Sequence, residues 1–190
     1  MGIKLNIACG QRLQSGWTGL DIVSREKVVE PEGAKYIEYD VLSFPWPIAS
    51  GSVSEAFCSH FVEHIPHQVI GYPQYKDGLV LFMEEVYRIL EPQGTIRIEC
   101  PYYSSQRAWQ DPGHQRAITE NTFRYFDRQW LVSMGMSHYD IQTDFEIVST
   151  ILVLDSGYEL KSEEEKQRAI RHEINAVSDI YIILRKKEGV

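Results

Sequence analysis

No apolar run in this 190-residue chain approaches the ~20 residues that a membrane-crossing helix needs. Basic charge is also scarce: 19 Lys and Arg stand against 27 Asp and Glu, a formal net charge of −8. The one dense basic run, Arg185-Lys186-Lys187, reads as the solvated end of a last strand. That balance argues against extended contact with a nucleic-acid backbone, though not against a nucleotide-sized ligand. Cysteine is limited to Cys9, Cys58 and Cys100, each in or at the end of an apolar run and none in a C-x-x-C pair. They read as reduced, buried thiols and not as a disulfide framework. Internal repeats and low-complexity segments are missing. Met1 runs almost directly into a strand, without a charged leader and a long apolar segment, so a cytoplasmic protein is expected. What is present, 43% apolar and 24% charged residues, is the composition of one soluble domain spanning 1–190.

The apolar pattern predicts an α/β order. A near-continuous apolar run over 3–8 reads as a strand covered on both faces. The connection over 11–15 leaves room for about one helical turn, short for a crossover. Strands follow over 17–22, 36–41 and 52–59, with the proline-stiffened loop Ser43-Phe44-Pro45-Trp46-Pro47 before the last of these. An irregular loop over 71–75 leads to Asp77, which can cap a helix. Leu79, Phe82, Met83, Val86, Ile89 and Leu90 form the apolar face of that helix, with Glu84, Glu85 and Arg88 opposite. Pro92-Gln93-Gly94 ends it, and the alternation over 95–100 predicts a fifth strand. A polar, aromatic insert at 102–138 holds a short helix opened by Thr119 or Asn121. A strand over 145–154, a surface helix over 161–176 and a last strand over 180–184 complete the chain.

Strands joined by crossovers imply a mainly parallel, doubly wound sheet, which binds ligands beyond the carboxyl ends of its strands. Those ends carry Cys9-Gly10, Asp21, Asp40, His60 and Pro101-Tyr102-Tyr103. A bare turn at the first strand and a carboxylate at the second suit a nucleotide-like ligand.

Asn6-Ile7-Ala8-Cys9-Gly10, Gly16-Trp17-Thr18-Gly19-Leu20-Asp21, Tyr39-Asp40-Val41-Leu42, Ser59-His60-Phe61-Val62-Glu63-His64-Ile65 and Glu84-Glu85-Val86-Tyr87-Arg88-Ile89-Leu90-Glu91-Pro92-Gln93-Gly94 together resemble the class I S-adenosylmethionine-dependent methyltransferases. The resemblance runs in register over 3–126. It is nearest to the small type-11-like group with an Asn-Leu-Gly-Cys-Gly first strand and an Asp-Pro-x-His segment. It implies a Rossmann-like seven-stranded sheet with an antiparallel last strand, and S-adenosylmethionine as cofactor. By position, it implies Asn6, Ala8, Cys9 and Gly10 under the methionine and ribose, and Asp21 with Ile22 at the ribose hydroxyls. Asp40, Val41 and Leu42 would sit at the adenine, with Ser59 and His60 facing the sulfonium and the acceptor. Ala8 departs from the family pattern, which has glycine there; its Cβ is expected to weaken binding before abolishing it.

Methyl transfer needs an aligned acceptor and, for oxygen or nitrogen, a proton acceptor, for which His60 is suited. Asp111-Pro112-Gly113-His114 is a turn by composition, but a turn does not require His114, so Asp111 and His114 join His60 as catalytic candidates. Tyr102, Tyr103, Arg107, Trp109 and Arg116 around it suit a small polar acceptor such as a sugar or nucleotide-sugar. Met134 and Met136 read as core or lid residues. Two other readings stand beside this one: a non-catalytic cofactor-binding module, and a metal-dependent hydrolase using His60, His64, Asp111 and His114. The second needs His60 and His64 to share a helical face; otherwise Glu63 and His64 brace a turn and no metal is bound.

Overall fold

The computed structural model describes residues 2–11, 13–73 and 76–188. Arg12, Gln74 and Tyr75 lie outside the described residues, and with them parts of the connection over 11–15 and the loop over 71–75.

Seven strands form one sheet: β1 (Ile3–Ile7), β2 (Thr18–Asp21), β3 (Lys35–Glu38), β4 (Val53–Ser59), β5 (Leu90–Pro101), β6 (Phe145–Leu154) and β7 (Val177–Lys186). Their order is β3-β2-β1-β4-β5-β7-β6. β1 through β5 pair in parallel, and β7 runs antiparallel to both β5 and β6. This is the expected Rossmann-like sheet with its antiparallel last strand. The chain winds outward one way through β2 and β3, then restarts at β4 on the other side of β1. The β1–β4 boundary is therefore the topological switch point, where a doubly wound sheet opens a crevice.

The core follows the pattern of the strands. Leu5, Ile7, Leu20, Val53, Cys58, Ile96, Ile98, Cys100, Ile180, Ile182 and Leu184 are fully buried. All three cysteines are free and buried. Helix α1 (Gly78–Ile89) starts at Asp77, whose carboxylate accepts the Leu79 amide at 2.8 Å, and it buries Leu79, Phe82, Met83, Val86 and Ile89.

Several boundaries differ from the expectation. Glu85 is not on a solvent face: it is 6% exposed, bonded by the Trp46 amide and by Arg88. β3 stops at Glu38, so Asp40 falls in the following turn. β5 begins at Leu90, directly after α1, instead of beyond Gly94. The insert contains a 3-10 turn over Thr122–Phe126 and the short helix α2 (Arg128–Ser133). Met134 is 54% exposed and contributes nothing to the core. Helix α3 is confined to Glu163–His172, opened by a Ser162–Glu165 capping box. Among the described residues no helix is long and apolar enough to cross a membrane.

Candidate active site

β1 ends in a left-handed turn. Ala8 has φ 52° and Gly10 φ 56°, with Cys9 buried between them. A left-handed conformation costs a residue with a Cβ about 1–2 kcal/mol, so Ala8 must be held from outside. Two bonds do so. The Ala8 amide donates to Leu20 O at 2.8 Å, and the Gly10 amide donates to Asp21 Oδ2 at 2.7 Å. The other Asp21 oxygen accepts the Val23 amide at 3.0 Å. A Cβ on Gly19 would stand 2.7 Å from Cys9 Sγ, so the turn lies against β2 with no room for a side chain there. Burial and the Asp21 charge push the Cys9 thiol up to about 11.

β4 also ends left-handed, at His60, with φ 52°. Its amide donates to Glu99 O at 2.8 Å, which fixes the residue where two cavities meet. The first cavity, about 660 Å³, opens at the switch point. That volume is within the range of small-molecule sites, roughly 300–1,000 Å³. Among the expected site residues, Asn6, Ala8, Cys9, Gly10, Ser59 and His60 line it. Gln11, Gln14, Phe57 and Glu99 line it too and were not anticipated. Glu99 is the residue a closer reading of alternation would have found, since it shares the polar side of β5 with Arg97, to which it is ion-paired. Ser59 Oγ donates to it at 3.4 Å.

The remaining expected cofactor residues are not on this cavity. Asp21 is 8% exposed and lies under the turn. Ile22 is 69% exposed. Asp40 folds onto its own loop, accepting the Leu42 amide at 2.9 Å and the Ser43 hydroxyl at 3.3 Å. Val41 is in the core and Leu42 packs against it.

The second cavity, about 210 Å³, brings His60, Glu63, His64, Asp111 and His114 together with Arg107. The 60–64 segment is not an α-helix: a 3-10 turn over Val62–His64 places Glu63 inside. Glu63 Oε1 is 3.5 Å from His60 Nδ1, and that carboxylate raises the His60 pKa above its ordinary value, against the opposing effect of burial. The His64 and His114 rings meet edge to face at 4.5 Å. The sequence marked Glu63 only as a brace for a turn, because its place in the site depends on burial. Of the residues around Asp111, Arg107 is paired with Asp179 at 2.6 Å. Arg116 is paired with Asp77 at 2.8 Å, and the Tyr102 hydroxyl donates to Glu120 at 2.9 Å. These three are committed internally, while Tyr103 and Trp109 stay exposed.

No protein-family model matches the sequence, and no curated protein does. Solved structures do match. A SAM-dependent methyltransferase from Archaeoglobus fulgidus superposes with a TM-score of 0.59 at 20% identity, over 97% of this chain and 86% of that one. The N-methyltransferase NodS from Bradyrhizobium japonicum matches with a TM-score of 0.54 at 11% identity, over 98% and 86%. The 4+2 cyclase SpnF matches with a TM-score of 0.52 at 12% identity, over 99% and 76%. The chain has the fold of the S-adenosylmethionine-dependent methyltransferases. The cyclase among these structures marks the difference between sharing that fold and sharing one reaction.

Proposed function

We propose that this protein is an S-adenosylmethionine-dependent methyltransferase acting on a small polar acceptor of the sugar or nucleotide-sugar class. The observation that carries the reading is the cavity at the β1–β4 switch point, bounded by a left-handed turn on one strand and a left-handed histidine on the next. The cofactor fits the residues present. A Cβ built on Gly10 meets nothing within 4 Å, so backbone there is open to close approach by a ligand. Asn6, Ala8, Cys9, Gly10 and Ser59 would hold it, with Gln11, Gln14 and Glu99 supplying polar contacts. Asp21 acts by fastening the turn.

When bound, S-adenosylmethionine supplies a sulfonium methyl group to an in-line nucleophile. The chain's own task is to orient the acceptor, exclude water and take a proton. His60 Nδ1 faces Glu63, which leaves Nε2 to receive the acceptor proton. The insert, with Asp111 and His114, forms the far wall of the second cavity and would shape the acceptor site.

Calorimetry with S-adenosylhomocysteine tests the cofactor half. Silence at millimolar ligand, in the natural protein and in Ala8→Gly alike, would sink it. Incubation with labelled S-adenosylmethionine and a cell extract, followed by mass spectrometry, identifies the acceptor. A second reading is a cofactor-binding protein without methyl transfer, since a 4+2 cyclase shares the fold; bound cofactor with no methylated product would favour it.

A further inference from the structure

The second cavity contains a donor set that methyl transfer does not call for. Glu63, His64 and His114 each offer a ligand atom, all within 4.8 Å of one another. Glu63 is 2% exposed, and among the described residues neither carboxylate oxygen has a hydrogen-bond partner. A buried carboxylate is costly unless paired, and His60, itself 42% exposed, approaches only Oε1. His114 is oriented for ligation. Its Nδ1 lies 3.0 Å from Ala108 O, so that nitrogen carries the proton and Nε2 presents its lone pair. A backbone carbonyl on the far ring nitrogen is the usual support of a metal-bound histidine. Two segments distant in sequence are fastened together here. The Gln115 amide donates to Glu63 O at 2.7 Å, and Arg116 donates twice to Ile65 O, at 2.7 and 3.1 Å. Gly113 leaves the space they need: a Cβ there would stand 3.1 Å from His64 Nδ1.

We propose that Glu63, His64 and His114 bind a divalent transition-metal ion of the zinc class and leave one position open to an oxygen ligand. Two imidazoles with one carboxylate suit zinc over magnesium or calcium, which take all-oxygen sets. Two histidines and a glutamate with a fourth position open is a donor set known for catalytic zinc. Zinc–ligand bonds of ~2.0–2.2 Å place tetrahedral ligand atoms about 3.3–3.6 Å apart, so side-chain shifts of about an ångström close the site. Asp111 Oδ2 stands 4.0 Å from His114 Nε2, at the mouth. His60 borders both cavities, so an oxygen held at the metal lies beside the cofactor cavity. That this oxygen is a hydroxyl or carboxylate of the methyl acceptor rests on the methyltransferase reading; metal binding itself does not.

The test is zinc binding to the full chain after dialysis against a chelator, read by elemental analysis and by competition with a zinc-sensitive dye. Cobalt(II) is the spectroscopic probe. The expected result is stoichiometric zinc at micromolar concentration or below, visible cobalt bands of a low-symmetry nitrogen–oxygen site, and affinity weakened roughly tenfold or more in His64→Ala, His114→Ala and Glu63→Gln. His67→Ala, whose ring pairs with Asp77 outside the cluster, should bind as the natural chain does. Circular dichroism identifies any variant that fails to fold, and the two histidine variants decide if Glu63→Gln is lost. Substoichiometric zinc, or undiminished binding by folded His64→Ala and His114→Ala, overturns the proposal. S-adenosylhomocysteine binding to the metal-free protein is measured separately, so failure of the metal site and failure of the cofactor reading are distinguishable.

Discussion

The Gly10 amide donates to Asp21 Oδ2 at 2.7 Å, joining the turn after β1 to the end of β2. Asp21→Asn keeps the shape and replaces one acceptor by a donor. That donor must face either the Gly10 or the Val23 amide, since both carboxylate oxygens are used. Both bonds are only partly buried, so leaving one amide unpaired costs about 1 kcal/mol, the low end of the range for a lost buried partner. We expect a lower denaturant midpoint and S-adenosylhomocysteine affinity reduced roughly tenfold, the equivalent of ~1.4 kcal/mol. Unchanged values of both would show that the turn holds itself.

Ala8 stands at φ 52°, where glycine pays no steric cost. Ala8→Gly relieves that strain, while glycine adds freedom to the unfolded chain. The net expectation is a stabilisation of about 0.5–1 kcal/mol, together with tighter cofactor binding. Urea denaturation and calorimetry check the two independently. A destabilised variant would mean that the lost methyl packing against the core outweighs the strain.

Asp77 caps α1 while pairing with Arg116 and His67. Burial pushes its pKa up, but Arg116 and His67 pull harder, and the net shift is below the ordinary value of 3.8. A lowered folded pKa means the stabilisation is complete above that ordinary value and is lost as pH falls through the lower folded one. The natural chain should therefore lose stability steeply below about pH 4. Asp77→Ala should be less stable by about 1 kcal/mol or more at neutral pH, and its stability should fall less steeply in acid. Urea midpoints measured across that range give the comparison.

Cys9 forms part of the cavity wall, yet it is 7% exposed and its thiol is pushed up to about 11. At about pH 8 only about one thiol in a thousand is ionised. Iodoacetamide should leave Cys9 unmodified in the folded protein and alkylate it after unfolding, as peptide mass spectrometry would show. Rapid labelling of the folded chain would mean that the turn opens.

Much of the sheet was legible because buried strands must be apolar on known faces. The alternation of Ile96, Ile98 and Cys100 records burial directly, whereas the apolar run over 145–154 forms a strand of which only Phe145 is buried. The Asp77 cap and the face of α1 were legible for the same local reason. Glu85 was not. It is turned about 100° around the helix from Glu84, toward the face of Phe82 and Ile89, where the Trp46 amide and Arg88 bond its carboxylate. Asp40 was misplaced by two residues of strand length, enough to move its carboxylate from a strand end into a self-bonded turn.

The sequence by itself determined the succession of strands along the chain and the small turn after the first strand, since periodicity and residue size are local properties. It also marked His60 and His114 as polar groups without an evident structural duty. Only the tertiary structure decided that Asp21 lies beneath the turn while Glu99 lines the cavity beside it. Only the tertiary structure placed the buried Glu63 beside His60, His64 and His114. The cost of a buried charge depends on what surrounds it in space, and Glu63 and His114 become neighbours only when the 113–116 segment is bonded onto the turn after β4.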